Sequence, residues 1–194
     1  MNKHKIPIIF SFILLWFKYF DYMQINLKVI PIAFSLNNNY VYPLIVLLTS
    51  ILYNSFPNVY FLFYLLLSPD IEEKNIMKIL EICKKNKNCK INLIYMKDKY
   101  SKFNKGVYKS IAIYYRLELS NVITDVDKII YLDIDTLVHK DLTEFYNIDL
   151  GNYYYMGFPA HDLTYTIING TRNFINSGVM LIIIKLIIVY HKYI

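Results

Sequence analysis

Chemistry first shows in the stretch Lys128-Ile-Ile-Tyr-Leu-Asp-Ile-Asp-Thr-Leu-Val. A continuously apolar run, of the kind that forms a strand buried on both faces, ends abruptly in two carboxylates, Asp133 and Asp135. In extended backbone, residues i and i+2 project to the same side, so the two side chains are expected to converge. Adjacent carboxylates repel. A hard divalent cation, Mn²⁺ or Mg²⁺, relieves that repulsion and is typically shared between one or two carboxylates and phosphate oxygens. The chemistry implied is a nucleotide diphosphate whose leaving charge must be neutralised. D-x-D alone is a weak signal, because solvated turns and helix caps also produce it. Its place at the end of an apolar strand gives it weight.

The elements that must hold these acids read as alternating strands and helices. Strands are expected at Val29–Phe34, Val59–Leu67, Lys90–Tyr95, Ile129–Leu132, Tyr153–Phe158 and Val179–Ile184. Helices are expected at about Tyr42–Tyr53, Ile71–Lys85 and Tyr108–Leu119. In the second of these, Ile76, Ile79, Leu80 and Cys83 share a face, with Lys74, Lys78, Glu81 and Lys85 largely opposite. Its Glu72 and Glu73 lie in the first turn and Lys84 and Lys85 in the last, as the helix dipole favours. The alternation implies an α/β fold with a mainly parallel sheet flanked by helices, which binds ligands beyond the carboxyl ends of its strands. No internal repeat or linker interrupts it, so residues 29–194 are read as one domain behind an apolar extension, 1–28.

The totals restrict the function classes. At 194 residues and 56% apolar composition, the chain supports one sizeable core and excludes a disordered or collagen-like polymer. The net charge of +6 comes mostly from scattered lysines, with one denser patch at Lys84, Lys85, Lys87 and Lys90. So short a patch is a solvated helix end, and no nucleic-acid partner is expected; the basicity suits a nucleotide diphosphate or an anionic membrane surface. Cys83 and Cys89 match no zinc or redox spacing and are expected to be reduced thiols in a cytoplasmic protein. No charged residue lies between Lys28 and Asp70. Asn37–Asn39 and Asn54-Ser55-Phe56-Pro57-Asn58 nevertheless cut this stretch below the length of a spanning helix. Ile6–Phe17, flanked by Lys3, Lys5 and Lys18, is also too short to span and reads as a signal-like or interfacial segment. A simpler account takes Met23 as the true start. The reading is a cytoplasmic chain, with peripheral contact at the inner membrane as a further option.

Around the two aspartates a family resemblance becomes visible. Tyr114-Tyr-Arg-Leu followed by Asp127-Lys-Ile-Ile-Tyr-Leu-Asp-Ile-Asp-Thr-Leu-Val resembles the core of family 8 glycosyltransferases, a group that includes bacterial lipopolysaccharide glucosyl- and galactosyltransferases and glycogenin. Ile30-Pro-Ile-Ala-Phe-Ser-Leu-Asn-Asn-Asn-Tyr resembles the family's opening strand and nucleotide loop, and Phe174-Ile-Asn-Ser-Gly-Val-Met-Leu its N-[AS]-G-V strand. These segments stand in the family's order from about Val29 to Ile182, which is more specific than any one motif. The resemblance implies a GT-A (nucleotide-diphospho-sugar transferase) fold and Mn²⁺ or Mg²⁺ as cofactor. It implies a UDP-sugar donor, UDP-glucose or UDP-galactose, and retaining transfer of the hexose to a glycan or lipopolysaccharide acceptor. By position it assigns Asp133 and Asp135 to metal and diphosphate. Ser35, Asn37, Asn39 and Tyr40 fall to the uridine pocket, and Arg116 and Asn176 to the donor sugar. Asp162 falls to the sugar and acceptor side, with Asp162 and Asn176 as the catalytic candidates. Taken singly, several have plainer readings: Arg116 pairing with Glu118 or Asp127, Asn37–Asn39 as an ordinary turn, Tyr40 as core, Asn176 as a bulge. His139 and His161 are not expected to be ligands, and Asn169-Gly-Thr is expected to be a loop.

Two departures from the family pattern carry expectations of their own. Asn37 stands where the family usually has Asp; its amide carbonyl can still accept a uracil N–H, with weaker donor binding expected. After Leu181-Ile182 the chain reads Ile183-Ile-Lys-Leu-Ile-Ile-Val-Tyr-His-Lys-Tyr-Ile, where the family continues toward an H-x-x-G-x-x-K-P-W segment that supplies the third metal ligand. A frameshift or truncation near residue 183 is the expectation, with weak or no turnover by this polypeptide. An inactive remnant of such an enzyme, and a small membrane-associated protein, are the rival readings.

Overall fold

The structure is a computed structural model, and it describes residues 15, 16, 18, 27–97, 100, 110–159 and 175–191. Within them the chain runs β1 (Lys28–Leu36), a 3-10 turn (Asn38–Tyr40), α1 (Val41–Tyr53), β2 (Val59–Leu67), α2 (Glu73–Lys85) and β3 (Cys89–Tyr95). A 3-10 helix (Ile111–Glu118) then leads into α3 (Leu119–Val122), β4 (Lys128–Leu132), α4 (Thr143–Asn147), β5 (Tyr155–Pro159), β6 (Ile175–Ile183) and α5 (Ile184–His191). The strands form one six-stranded sheet in the order β3-β2-β1-β4-β6-β5. β3, β2, β1 and β4 pair in parallel, while β6 runs antiparallel between β4 and β5. The α/β class and the mainly parallel sheet agree with the sequence reading.

Strand alternation sorts the apolar residues into two cores, one on each face of the sheet. Ile32, Phe34 and Leu36 of β1, Phe61, Phe63 and Leu65 of β2, and Ile130 and Leu132 of β4 face one side, against Leu44, Leu47, Leu48 and Ile51 of α1. Ala33, Tyr64, Leu66, Ile129 and Tyr131 face the other, against Ala112, Tyr115, Leu119 and Ile184. The period of two in each strand, and the i, i+3, i+4 spacing of α1's buried residues, are what let one uncharged sequence fill both layers. Phe61 and Phe63 stack with their ring centroids 5.6 Å apart, and Phe34 lies 5.9 Å from Phe63.

Several boundaries differ from the sequence reading. The helix expected at Tyr108–Leu119 is, where described, the 3-10 helix Ile111–Glu118; Ser110 caps it by accepting a hydrogen bond from Ala112 N. β6 begins at Ile175, not Val179, because its first residues pair with Phe158 and Pro159 across an irregularity at Gly157/Phe158. The apolar residues from Ile184 onward form a helix, α5, and α4 was not anticipated. Cys83 and Cys89 form a disulfide, with Cα atoms 5.5 Å apart, which corrects the expectation of reduced thiols. The end of α2 and the start of β3 bring the two sulfurs together across a short turn, a proximity that motif spacing does not encode. Most of Ile6–Phe17, with Met23, Asp162, His161 and Asn169, lies outside the described residues. Among the described residues no helix is long and apolar enough to cross a membrane.

Phe63 belongs to the first core, fully buried between the rings of Phe34 and Phe61. Phe63→Ala is expected to lower unfolding free energy by roughly 3–5 kcal/mol, as read by urea denaturation of the two proteins.

Candidate functional site

The carboxyl ends of β1 and β4 and the start of antiparallel β6 meet at one rim of the sheet. Leu132 pairs with Val179, and immediately beyond, Asp133 N donates to Gly178 O at 2.6 Å. The strand stops at Leu132, so the two acids do not share an extended segment as the sequence reading supposed. Alternation carries one step further: Ile134 joins the first core, and Asp133 is left on the side of the second. The chain then turns, with Thr136 N and Thr136 Oγ1 both donating to Asp133 O, at 3.3 and 2.8 Å. Asp133 is part-buried and Asp135 exposed. The turn is fixed at its exit by α1. Ser50 Oγ accepts from Val138 N at 3.1 Å, and Asn54 Nδ2 donates to Val138 O at 2.9 Å.

Arg116 reaches this rim from the 3-10 helix. Its guanidinium donates to Asp133 Oδ1 at 2.9 Å, to Ser177 O at 2.5 Å and to Ser177 Oγ at 2.9 Å, while Nε donates to Ile113 O at 2.9 Å. Its Cζ lies 4.8 Å from the ring centroid of Tyr131. Of the plainer partners considered for Arg116, neither is used: Glu118 instead accepts from Tyr100 and Asn121, and the charge partner is Asp133. Burial raises the Asp133 carboxyl above its ordinary value; Arg116 and the Tyr131 hydroxyl oppose this, and the neighbouring Asp135 charge adds to it. The Tyr131 phenol is itself held protonated, chiefly by burial. Gly178 is required by this arrangement. A Cβ there would meet Asp133 Oδ2 at 2.5 Å and Asn176 Oδ1 at 3.1 Å.

The sequence candidates fall into four groups. Arg116, Asp133, Asn176 and Ser35 are brought together: Asn176 Oδ1 accepts from Gly178 N at 2.8 Å, and Ser35 Oγ lies 3.2 Å from the Tyr131 hydroxyl. Asn37 joins them at one remove. Its Nδ2 donates to Ser110 Oγ at 2.8 Å, which links the loop after β1 to the helix that carries Arg116. Asn37 Oδ1 accepts from Asn39 N at 3.1 Å, so the residue also caps its own 3-10 turn. Asn39 and Tyr40 are exposed on that turn, the latter 44% so. Asp162 lies outside the described residues. Asn38, not singled out by sequence, locks the loop to α2: its Oδ1 accepts from Glu72 N and Asn75 Nδ2, and its Nδ2 donates to Glu72 Oε1. Tyr131 and Gly178 were also missed as site residues. The first was detectable, since it sits two residues before Asp133 on the same strand face.

Two hard carboxylates, part-buried Asp133 and exposed Asp135, are donors of the type that Mg²⁺ or Mn²⁺ takes, ions that keep several waters and share phosphate oxygens. Among the described residues no group of three or more His, Cys, Asp or Glu is placed to hold a metal ion. Arg116 takes one oxygen of Asp133 and supplies a second cationic group at the rim. The arrangement therefore offers a cation the second oxygen of Asp133 and keeps the Arg116 guanidinium at the same rim. A groove between α1 and Leu137–His139, lined by Ile45, Val46, Tyr53 and Leu137, contains none of the candidate residues.

Comparison with known proteins gives this geometry its relatives. The chain resembles a crystal structure of the galactosyltransferase LgtC in complex with donor and acceptor sugar analogs, with TM-score 0.71 and 26% identity over 82% of this chain. It spans 60% of that protein's length. The apo bifunctional glycosyltransferase WbbM shares the fold with TM-score 0.70 at 16% identity, over 86% of this chain and 33% of that one. Apo mouse xyloside xylosyltransferase 1 does so with TM-score 0.57 at 16% identity, over 82% and 68% of the two chains. No curated protein sequence matches the chain. The sheet flanked by helices is that of the GT-A glycosyltransferases. The profile of glycosyl transferase family 8 matches residues 31–187, from β1 into α5, and the chain belongs to that family.

Proposed function

We propose that this chain carries the nucleotide-binding part of a retaining hexosyltransferase, which moves a hexose from a UDP-sugar to a glycan acceptor in lipopolysaccharide or surface polysaccharide synthesis. The observation that carries the reading is the Arg116–Asp133 pair at the rim where β1, β4 and β6 meet, inside the family match. UDP-glucose and UDP-galactose are the proposed donors. The proposed location is the cytoplasm or the cytoplasmic face of the membrane.

In this reading Asp133 and Asp135 hold Mn²⁺ or Mg²⁺, which when bound neutralises charge on the departing diphosphate. Arg116 orients Asp133 and presents its cationic face to the donor. The loop Ser35–Tyr40 receives the uridine, with Asn37 bonded to Ser110 so that the loop is tied to the Arg116 helix. Asn176, beside Gly178, stands on the sugar side, and Asp162 is proposed for the acceptor side. A second reading is a chain that binds donor with little or no turnover.

Calorimetry with UDP, with and without Mn²⁺, tests the site. The double variant Asp133→Ala/Asp135→Ala, or addition of EDTA, is expected to weaken UDP binding at least about tenfold, ~1.4 kcal/mol. Unchanged affinity in the double variant would sink the proposal, and turnover assays with UDP-glucose and UDP-galactose then separate the two readings. Gly178→Ala should displace the Asp133 carboxylate. It is expected to cost roughly 1–3 kcal/mol of stability by denaturant titration and to erase the Mn²⁺-dependent part of UDP binding.

A further inference from the structure

We infer that Tyr131 is a positioning residue that decides which oxygen of Asp133 is offered to a cation, an inference that rests on the reading of Asp133 as a metal ligand. Tyr131 is 1% exposed and precedes Asp133 by two residues on the same side of the sheet. Its hydroxyl lies 3.1 Å from Asp133 Oδ1 and 3.2 Å from Ser35 Oγ. A phenol has one proton to give. Directed at the anionic oxygen, that proton makes the stronger, charge-assisted bond. Ser35 then donates its own proton to the phenol oxygen. The result is a relay from the end of β1, through the buried phenol, to Asp133 Oδ1.

The consequence lies in what is left over. Carboxylate rotation about its terminal torsion is soft, so an unrestrained Asp133 would present either oxygen. Here Oδ1 receives both Tyr131 and Arg116. Oδ2 is the remaining oxygen; it lies against Gly178, where a Cβ would strike it at 2.5 Å, so the missing side chain lets the carboxylate keep this setting. Tyr131 also lies beneath the Arg116 guanidinium, so one side chain sets the carboxylate and the cation against each other. A phenol that merely filled the core would matter for stability and leave the metal preference untouched. A positioning phenol acts on metal affinity through its hydroxyl alone.

Tyr131→Phe separates these roles, because it keeps the ring under Arg116 and removes only the hydroxyl. The measurement is Mn²⁺ binding by electron paramagnetic resonance with UDP present, on the full 194-residue chain. It is accompanied by UDP affinity without metal and by thermal melting followed by circular dichroism. The expected result is an Mn²⁺ Kd raised about tenfold, with metal-free UDP affinity within about twofold and no further loss when Tyr131→Phe is placed in an Asp133→Asn background. Undiminished Mn²⁺ affinity in Tyr131→Phe, while Asp133→Ala loses it, overturns this inference and leaves the metal reading standing. Full additivity of the two substitutions, or collapse of the folded signal in Tyr131→Phe, overturns it too. An Asp133→Ala chain that keeps its Mn²⁺ affinity, or an unsubstituted chain that has none, overturns both.

Discussion

A carboxylate drawn partly out of water at the end of a buried strand sets the terms for everything around it. The side chain of Asp133 is 35% exposed and that of Arg116 14%. An ion pair so placed is neither a surface pair, worth up to about 1 kcal/mol, nor a fully buried one, whose disruption costs roughly 3–5 kcal/mol. Desolvation works against the charged form of Asp133, and Asp135 nearby works the same way. Arg116 and Tyr131 offset part of this through Oδ1. The remainder is a standing demand for positive charge at the rim, where Gly178 leaves room for the Asp133 carboxylate itself. A site that is electrostatically incomplete in this way is suited to an ion that arrives with its own phosphate oxygens.

The fold exists around this rim in a specific sense. Both cores are built from uncharged strand residues, and the polar residues that break the pattern collect where the strands end. Ser35 is the last residue but one of β1, Asp133 follows β4, and Asn176, Ser177 and Gly178 follow Ile175 at the start of β6. Because β6 runs antiparallel to β4, its first residues lie beside the last of β4, so a segment over forty residues later in the chain completes the same site. The connections that hold the loops run from side chains to backbone and to other side chains. Ser50 and Asn54 grip Val138, Asn38 grips the start of α2, and Ser110 joins Asn37 to the Arg116 helix. Each satisfies backbone or amide groups that would otherwise lose water without compensation.

How much of this was legible in the sequence depends on whether the signal was local. The β1-α1-β2-α2-β3 order came through because its period-two and period-3.6 patterns are long and cleanly punctuated. Asp133 and Asp135 came through because two charges after an apolar run are conspicuous. Their geometry did not, since the turn from Asp133 to Thr136 is fixed by hydrogen bonds that no spacing rule reports. Arg116 was found by motif, whereas its partner was not: Asp133 is 17 residues away and becomes adjacent through tertiary packing. The Cys83–Cys89 pairing failed for a related reason, since thiol spacing reports metal and redox motifs but not the approach of a helix end to a strand start. Ser177 and Gly178 carry no chemical signal of their own, and the need for glycine shows when the Asp133 carboxylate is placed beside it.

The central claim is that Asp133 and Asp135 together hold a divalent cation against a diphosphate. Anomalous diffraction at the manganese edge, from crystals grown with Mn²⁺ and UDP, addresses it directly. The account predicts a manganese peak bonded to carboxylate oxygens of both aspartates at about 2.0–2.2 Å, with diphosphate oxygens completing the shell. A peak elsewhere on the protein, or ordered UDP with Arg116 still on Asp133 and no metal between the acids, would contradict it.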